Sequence, residues 1–575
     1  VNQPTPAIVA QSAVRRLPRW ALLLLCLAYV IPGFVMRGPW RSNDMEAFGY
    51  MRELALGHTD WLSPTLSGLA PSIDGLLPYW LGALSLLGFE WLLGAEMAAR
   101  LPFIALLILT LGATWWGAYY LARTPGAQPV AFAFGGEAQL IDYARAMADA
   151  ALLALVACLG LAQLSHETTS YVTQLGCTAL LFFAAAAMAY HPRKSAAALI
   201  FGLLGLALSG APTLAVLFGL GGSVIAFTQR SWGDSPGRSH RQARIWAAAW
   251  MAATVLAASL TTALDQWVWH LVDSLKDWSA LLQLLLWFCW PAWPLALWTL
   301  WVWRRQIAHP GHNPHLSIAL LFATVPVAAC LSSTPADRAL LLGLPAIATL
   351  AAFALPTFRR SISALIDWFT LLFFTASAIA IWVVWLAFQT GFPPKIAANI
   401  ARLAPQFEAS ISWPTVIVAL IATAGWFVLV VWRTSRNRAA IWKSLVLPAG
   451  GATLSWVLLS TLWMEPLDHA RSYEFQMTQL GGELKHNGAT SCVLTYGLGR
   501  SQIAAVRYYT HVNTALLRRS NPGDCGWALV DADRWAGDHN RKLRQGWDEV
   551  SRITRLAGQK EVLVLLKYTG PKAAP

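Results

Sequence analysis

Two carboxylates, Asp44 and Glu46, follow the first long apolar run of this 575-residue chain. A carboxylate beside an apolar surface loses solvation, its pKa rises, and it becomes suited to taking a proton near neutral pH. The stretch they belong to, residues 37–80, is too polar to cross a bilayer. From Glu46 to Leu56 it reads as an amphipathic helix, with Phe48, Met51, Leu54 and Ala55 on one face and Gly57 ending it. A purely structural role is equally open at this stage. Asp44 would then cap a helix beginning at Met45, and the stretch would be an interfacial loop with solvated charges. His58 and His270, with Glu46 or Asp265, are the only candidates for a metal site, and they are scattered rather than spaced as ligands. No cofactor is expected.

The elements that must position these groups are membrane spans. The chain is 56% hydrophobic and 12% charged with 31 Trp, which excludes an ordinary soluble domain. Apolar runs of about 18–25 residues recur, each long enough to cross the hydrocarbon core. The net charge of +13 is carried mostly by short basic loops and implies a positive cytoplasmic face, not nucleic-acid binding. Basic residues 15–19 precede the first span, and no small-residue cleavage site follows it. Spans are expected near 18–36, 100–121, 144–164, 174–190, two short halves within 195–229, 245–263, 284–303, 316–331, 339–356, 363–388, 413–432 and 445–463. Residues 76–94 are apolar but are assigned to the membrane surface, because a crossing there would invert every later loop. About thirteen spans place the N-terminus in the cytoplasm and the first loop, 37–99, outside.

Residues 464–575 change character and read as a soluble α/β domain outside the membrane. Strands are expected at 491–496, 526–531 and 562–566, with helical stretches near 468–487, 499–510 and 540–557. Gly497-Leu498-Gly499-Arg500 falls short of a nucleotide fingerprint. Five cysteines lie in apolar runs as packing residues; Cys492 and Cys525 lie in the soluble region and could form a disulfide there.

The order of residues in the first loop resembles that of the GT-C glycosyltransferases, nearest to the protein O-mannosyltransferase and lipid A aminoarabinose transferase family. The features carrying the resemblance are Asp44, the helix after it, Gly57-His58-Thr59-Asp60-Trp61, Pro64, Gly68 and Pro78-Tyr79-Trp80. They agree in spacing over about forty residues. Weaker support comes from Trp290-Pro291-Ala292-Trp293-Pro294 and Leu344-Pro345. There are departures. The family's Asp-Glu is Asp44-Met45-Glu46, and lysines are missing near Gly75 and at Gly210, so a donor phosphate would be held differently.

The resemblance implies a polytopic α-helical fold and sugar transfer from a polyprenyl-phosphate donor to an acceptor outside the membrane, with inversion. The acceptor could be lipid A, another cell-surface glycan or protein. Asp44 takes the place of the family's catalytic acid. A second acid is implied in the second outward loop, where Glu167 with His166 competes with Asp149. Phosphate-binding cations are sought among Arg52, Lys276 and Arg338, since a guanidinium fork matches phosphate geometry. His58, Trp61, Tyr79, His166 and His270 are candidate acceptor or sugar contacts. A monomer in a bacterial inner membrane, with its C-terminal domain periplasmic, is the expected setting. The alternative is a transporter or flippase of lipid-linked sugars. It is disfavoured because no two-half repeat of broken helices is visible and the charges gather in outward loops.

Overall fold

Apolar runs fold as helices here because a backbone in hydrocarbon must satisfy its N–H and C=O groups within its own segment. The computed structural model describes residues 5–73, 75–230, 233–234, 240–267, 278–332, 336–358, 360–434, 440–489, 491–518, 525–537, 541–555 and 561–570. Among these, seven helices are long and apolar enough to cross a membrane: Ala95–Arg123, Ser170–Ala187, His240–Ala263, Pro314–Ser332, Ser361–Thr390, Trp413–Thr434 and Lys443–Leu462. The pair Trp278–Phe288 and Ala292–Val302, bent by 90° at its Trp-Pro turn, makes an eighth if counted as one. The remaining expected spans hold shorter or broken helices. Arg19–Val30 is one; Leu140–Ala157 and Leu159–Leu164 meet at Cys158, which is extended, so the run 144–164 is interrupted. Pro192–Leu208 and Pro212–Thr228 are the two short halves, joined at Gly210 with φ +84°. Leu77–Leu93, assigned to the surface, is a 17-residue helix.

By internal contacts the chain divides into two units. The first is Val1–Phe34, Phe103–Ile381 and Pro414–Thr461; the second is Val35–Pro102, Trp382–Trp413 and Leu462–Pro575. At the centre of the first lies Leu344–Ala354, buried along its whole length against Leu140–Ala157, Ala292–Val302 and Pro314–Ser332. Both it and Leu140–Ala157 are rich in alanine, which lets apolar helices approach closely where hydrophobic exclusion from water gives no drive.

The second unit joins the first loop to the C-terminal region, which the sequence reading treats as separate domains. Its five-stranded sheet has the order β2-β1-β3-β5-β4, from β1 (Cys492–Tyr496), β2 (Asn513–Leu516), β3 (Trp527–Asp531), β4 (Trp547–Arg555) and β5 (Glu561–Tyr568). β1 pairs in parallel with β2 and β3, and β5 runs antiparallel to β3 and β4. The helix expected over 540–557 is corrected: among the described residues only Arg541–Arg544 is helical there, and Trp547–Arg555 is a bulged strand. Its polar residues hide the alternation, since Trp547 and Ile553 face the core while Glu549 and Arg552 pair in solvent. Helix 468–487 is likewise two, Met464–Arg471 and Glu474–His486, broken at Ser472. A Cys492–Cys525 disulfide ties the start of β1 to the segment just before β3, with Cα atoms 5.4 Å apart.

The helix of the first loop spans Asn43–Ala55 and packs on Leu77–Leu93 and on Arg500–Thr510. Gly49 permits the second contact, because a Cβ there would lie 2.5 Å from the Ala504 Cβ. The helix starts before Met45, so Asp44 sits inside its first turn and is not its cap; Ser42 occupies the cap position with φ +74°.

Candidate active site

Asp44 is buried, 3% exposed, and its Oδ2 accepts two bonds: 2.8 Å from Arg37 Nη1 and 3.0 Å from the Trp40 N–H. Arg37 is buried beside it. Taking two charges out of water is repaid only by close geometry and further hydrogen bonds, and both are present. A carboxylate in the first turn also gains from the helix N-terminus. Asp468 completes the cluster. Its Oδ1 accepts the Gly38 N–H at 3.0 Å and the Trp40 indole N–H at 2.8 Å. Burial raises the Asp468 pKa, opposed by the Trp40 and Gly38 bonds and by Arg37 and Arg100.

Glu46 is engaged differently. Its Oε1 accepts the Ser72 N–H at 2.8 Å and so holds the loop that follows. Arg52 lies 3.4 Å from Glu90 and over the Tyr508 ring. Beside it Glu53 and Arg507 make a two-pronged pair, both bonds 2.8 Å, with His58 3.3 Å from the same carboxylate. Arg52, Glu53, His58, Arg507, Tyr508 and His511 line a cleft of about 130 Å³. Arg507 is paired with Glu53 within the cleft, whereas Arg52 is paired with Glu90, which is not among the lining residues. The Trp61 carbonyl accepts the Trp80 indole N–H, and Tyr79 is buried with its hydroxyl on the Ile73 carbonyl.

In the first unit, Glu167 Oε2 lies 2.5 Å from Arg338 Nη1, with the two side chains 9% and 13% exposed. Asp337 and the Tyr171 ring flank the guanidinium. Burial disfavours the Arg338 charge, but the Glu167 carboxylate outweighs it and the pKa is raised. Glu167 is therefore no solvated loop charge, and residues 165–170 are buried throughout. His166 is caged by Tyr29, Phe34 and Trp456, with Nε2 3.0 Å from the Tyr29 carbonyl and Nδ1 on the Ala162 carbonyl. Asp149 lies within the Leu140–Ala157 helix and accepts the Trp115 indole N–H at 2.8 Å. Lys276 and His270 lie outside the described residues. Among the described residues no cluster of three or more His, Cys, Asp or Glu could hold a metal.

Sequence reasoning missed Arg37, Trp40 and Asp468. Arg37 had a visible signal, an arginine at the mouth of the first span with an acid seven residues on. Asp468 had none, being more than four hundred residues from its partners.

The architecture is that of a polytopic helical membrane protein with a small C-terminal α/β region. Two crystal structures of ArnT from Cupriavidus metallidurans share it. One is bound to undecaprenyl phosphate and one is apo, with TM-scores of 0.60 and 0.59. Each is 16% identical to this chain and covers 95% of it and 98% of its own length. No family model and no curated protein sequence matches the chain.

Proposed function

We propose that this protein is an inverting membrane glycosyltransferase that moves a sugar from a polyprenyl-phosphate donor to an acceptor outside the cytoplasm. The observation carrying this reading is the fold shared along 95% of the chain with a protein solved on undecaprenyl phosphate. The buried Arg37–Asp44 pair in the first loop supports it.

In this mechanism an acceptor hydroxyl attacks the anomeric carbon as its proton passes to Asp44. The bond from that carbon to the phosphate oxygen breaks, and polyprenyl phosphate leaves with the electron pair. One displacement inverts the centre. Arg37 and the Trp40 N–H both engage Oδ2, which fixes the plane of the carboxylate. Such orientation is worth a large share of a barrier, because reacting atoms must be held near 3–3.5 Å. Arginine would take over the role of the absent lysines, and Arg338, paired with Glu167, is the first donor-phosphate candidate. Lys276 and Arg52 are the further donor-phosphate candidates. The acceptor is a lipid or glycan of the cell envelope, and the setting is a bacterial inner membrane.

The test is mass spectrometry of surface lipids and glycans from cells carrying the wild-type chain, Asp44→Asn or no chain. A sugar-sized mass difference lost alike in the variant and the null supports the assignment. A product retained with Asp44→Asn sinks the base, and no change in the null sinks the transferase reading.

A further inference from the structure

We infer that Asp468 is a positioning residue for Asp44: through Gly38 and Trp40, the C-terminal segment clamps the first loop in the register its carboxylate needs. The inference rests on the transferase reading for its kinetic consequence, but not for its structural one.

The segment Arg37-Gly38-Pro39-Trp40 leaves two backbone N–H groups to be satisfied around a proline that has none. They go to two different carboxylates. The Gly38 N–H donates to Asp468 and the Trp40 N–H to Asp44. The same Asp468 oxygen takes the Trp40 indole N–H, so Trp40 is held at its ring by one acid and at its backbone by the other. Arg37 and Arg471 both lie over that ring, 4.7 and 4.8 Å from its centroid to their guanidinium carbons. Behind it the Arg41 N–H bonds to the Arg471 carbonyl at 2.9 Å, and Trp40 bridges to Ser472. Gly38 is hemmed in as well: a Cβ would meet Ser472 Oγ at 3.2 Å and Tyr509 Oη at 3.3 Å. The loop has almost no freedom to drift while these contacts stand.

Burial raises the Asp468 pKa above the ordinary aspartate value, so the charge itself adds nothing to stability relative to an aspartate in water. What it supplies is one acceptor oxygen at a fixed place. An amide can supply the same oxygen, and a methyl cannot. This separates positioning from charge.

The experiment uses full-length protein in lipid nanodiscs as wild type, Asp468→Ala, Asp468→Asn and Trp40→Phe. Hydrogen exchange is read across residues 35–102 and 462–570, and sugar transfer is resolved into kcat and KM for the polyprenyl-phosphate donor. Displacing a reacting group by an ångström costs about a hundredfold. Asp468→Ala is therefore expected to lower kcat about a hundredfold with donor KM held within about threefold. Asp468→Asn should restore kcat to within about tenfold of wild type, and Trp40→Phe should fall between. Faster exchange should be confined to residues 37–45. Wild-type kcat in Asp468→Ala, failure of Asp468→Asn to restore it, or faster exchange throughout 462–570 would each overturn the inference. If the wild type transfers no sugar, the transferase reading falls, and the exchange pattern alone decides whether the clamp exists.

Discussion

Breaking the Glu53–Arg507 pair measures how firmly the first loop is held to the C-terminal helix Arg500–Thr510. Both bonds of the pair are 2.8 Å, and the side chains are 8% and 16% exposed. Arg507→Met leaves the Glu53 carboxylate covered, with the His58 ring nitrogen 3.3 Å away. Stranding one member of a buried pair costs about 3–5 kcal/mol, and the partial exposure of Arg507 puts the expectation near ~3 kcal/mol. Glu53→Leu with Arg507→Met removes both charges and should cost about 1 kcal/mol or less, because apolar replacements of a buried pair are often neutral. Adding Glu53→Leu to Arg507→Met should then recover about 2 kcal/mol, roughly thirtyfold in an opening equilibrium, and Glu53→Leu alone closes the double-mutant cycle. Hydrogen exchange of amides in Asn43–Ala55 and Arg500–Thr510 reads that equilibrium directly. Additive effects, with coupling below about 0.5 kcal/mol, would refute the reasoning and leave the contact at Gly49 and Ala504 to hold these helices.

Three further outcomes follow from the same geometry. Arg338→Met should cost more stability than Arg338→Met combined with Glu167→Gln, measured by thermal unfolding in detergent, because the single change strands a buried carboxylate. Replacing Cys492 and Cys525 with serine opens a loop of sequence separation 33 and should destabilise the C-terminal region by about 3–4 kcal/mol in the chain-entropy account, seen as faster exchange in β1 and β3. For Asp468 the sign with pH is opposite to that of a salt-bridged carboxylate. Its folded pKa is raised, so its contribution to stability is full below the ordinary aspartate pKa and lost as pH rises through the raised one. Asp468→Asn should therefore be at least as stable as wild type at pH 7, with the gap closing as pH falls; a variant less stable at pH 7 would contradict this.

Much of the membrane architecture was legible because its signal is local. A run of apolar residues must be a helix in hydrocarbon, and no long-range information is needed to place one. The breaks were legible only where a residue announced them, as at Gly210 and Pro212; the break at Cys158 was not, since nothing in Val156-Ala157-Cys158-Leu159 forbids helix. β4 was hidden for a related reason. Edge strands carry charge on their open face, and Asp548, Glu549 and Arg552 made Trp547–Arg555 look helical. At the candidate site, Asp44 was singled out through the order of its neighbours. Arg338 and Glu167 were named separately, but their pairing was not, because the two lie 171 positions apart.

The spacing of the two first-loop acids can be pressed further. The two acids stand with one residue between them, as Asp44-Met45-Glu46. On a helix, residues two apart do not share a face. Met45 between them is fully buried, Asp44 is buried with Arg37, and Glu46 reaches instead to the Ser72 N–H. The methionine between them therefore leaves the two carboxylates with two jobs, one in the Arg37 cluster and one tying down the next loop. Glu46→Gln keeps an acceptor for the Ser72 N–H and loses only the charge assistance, about 1 kcal/mol, which corresponds to less than a tenfold effect on transfer. Asp44→Asn removes the proton acceptor and should cost at least about a hundredfold, the lower end of what general-base catalysis supplies. Kinetics of both variants with one donor decide the matter. Equal losses would mean that the two acids act as one unit, and the helix geometry would then have been read wrongly.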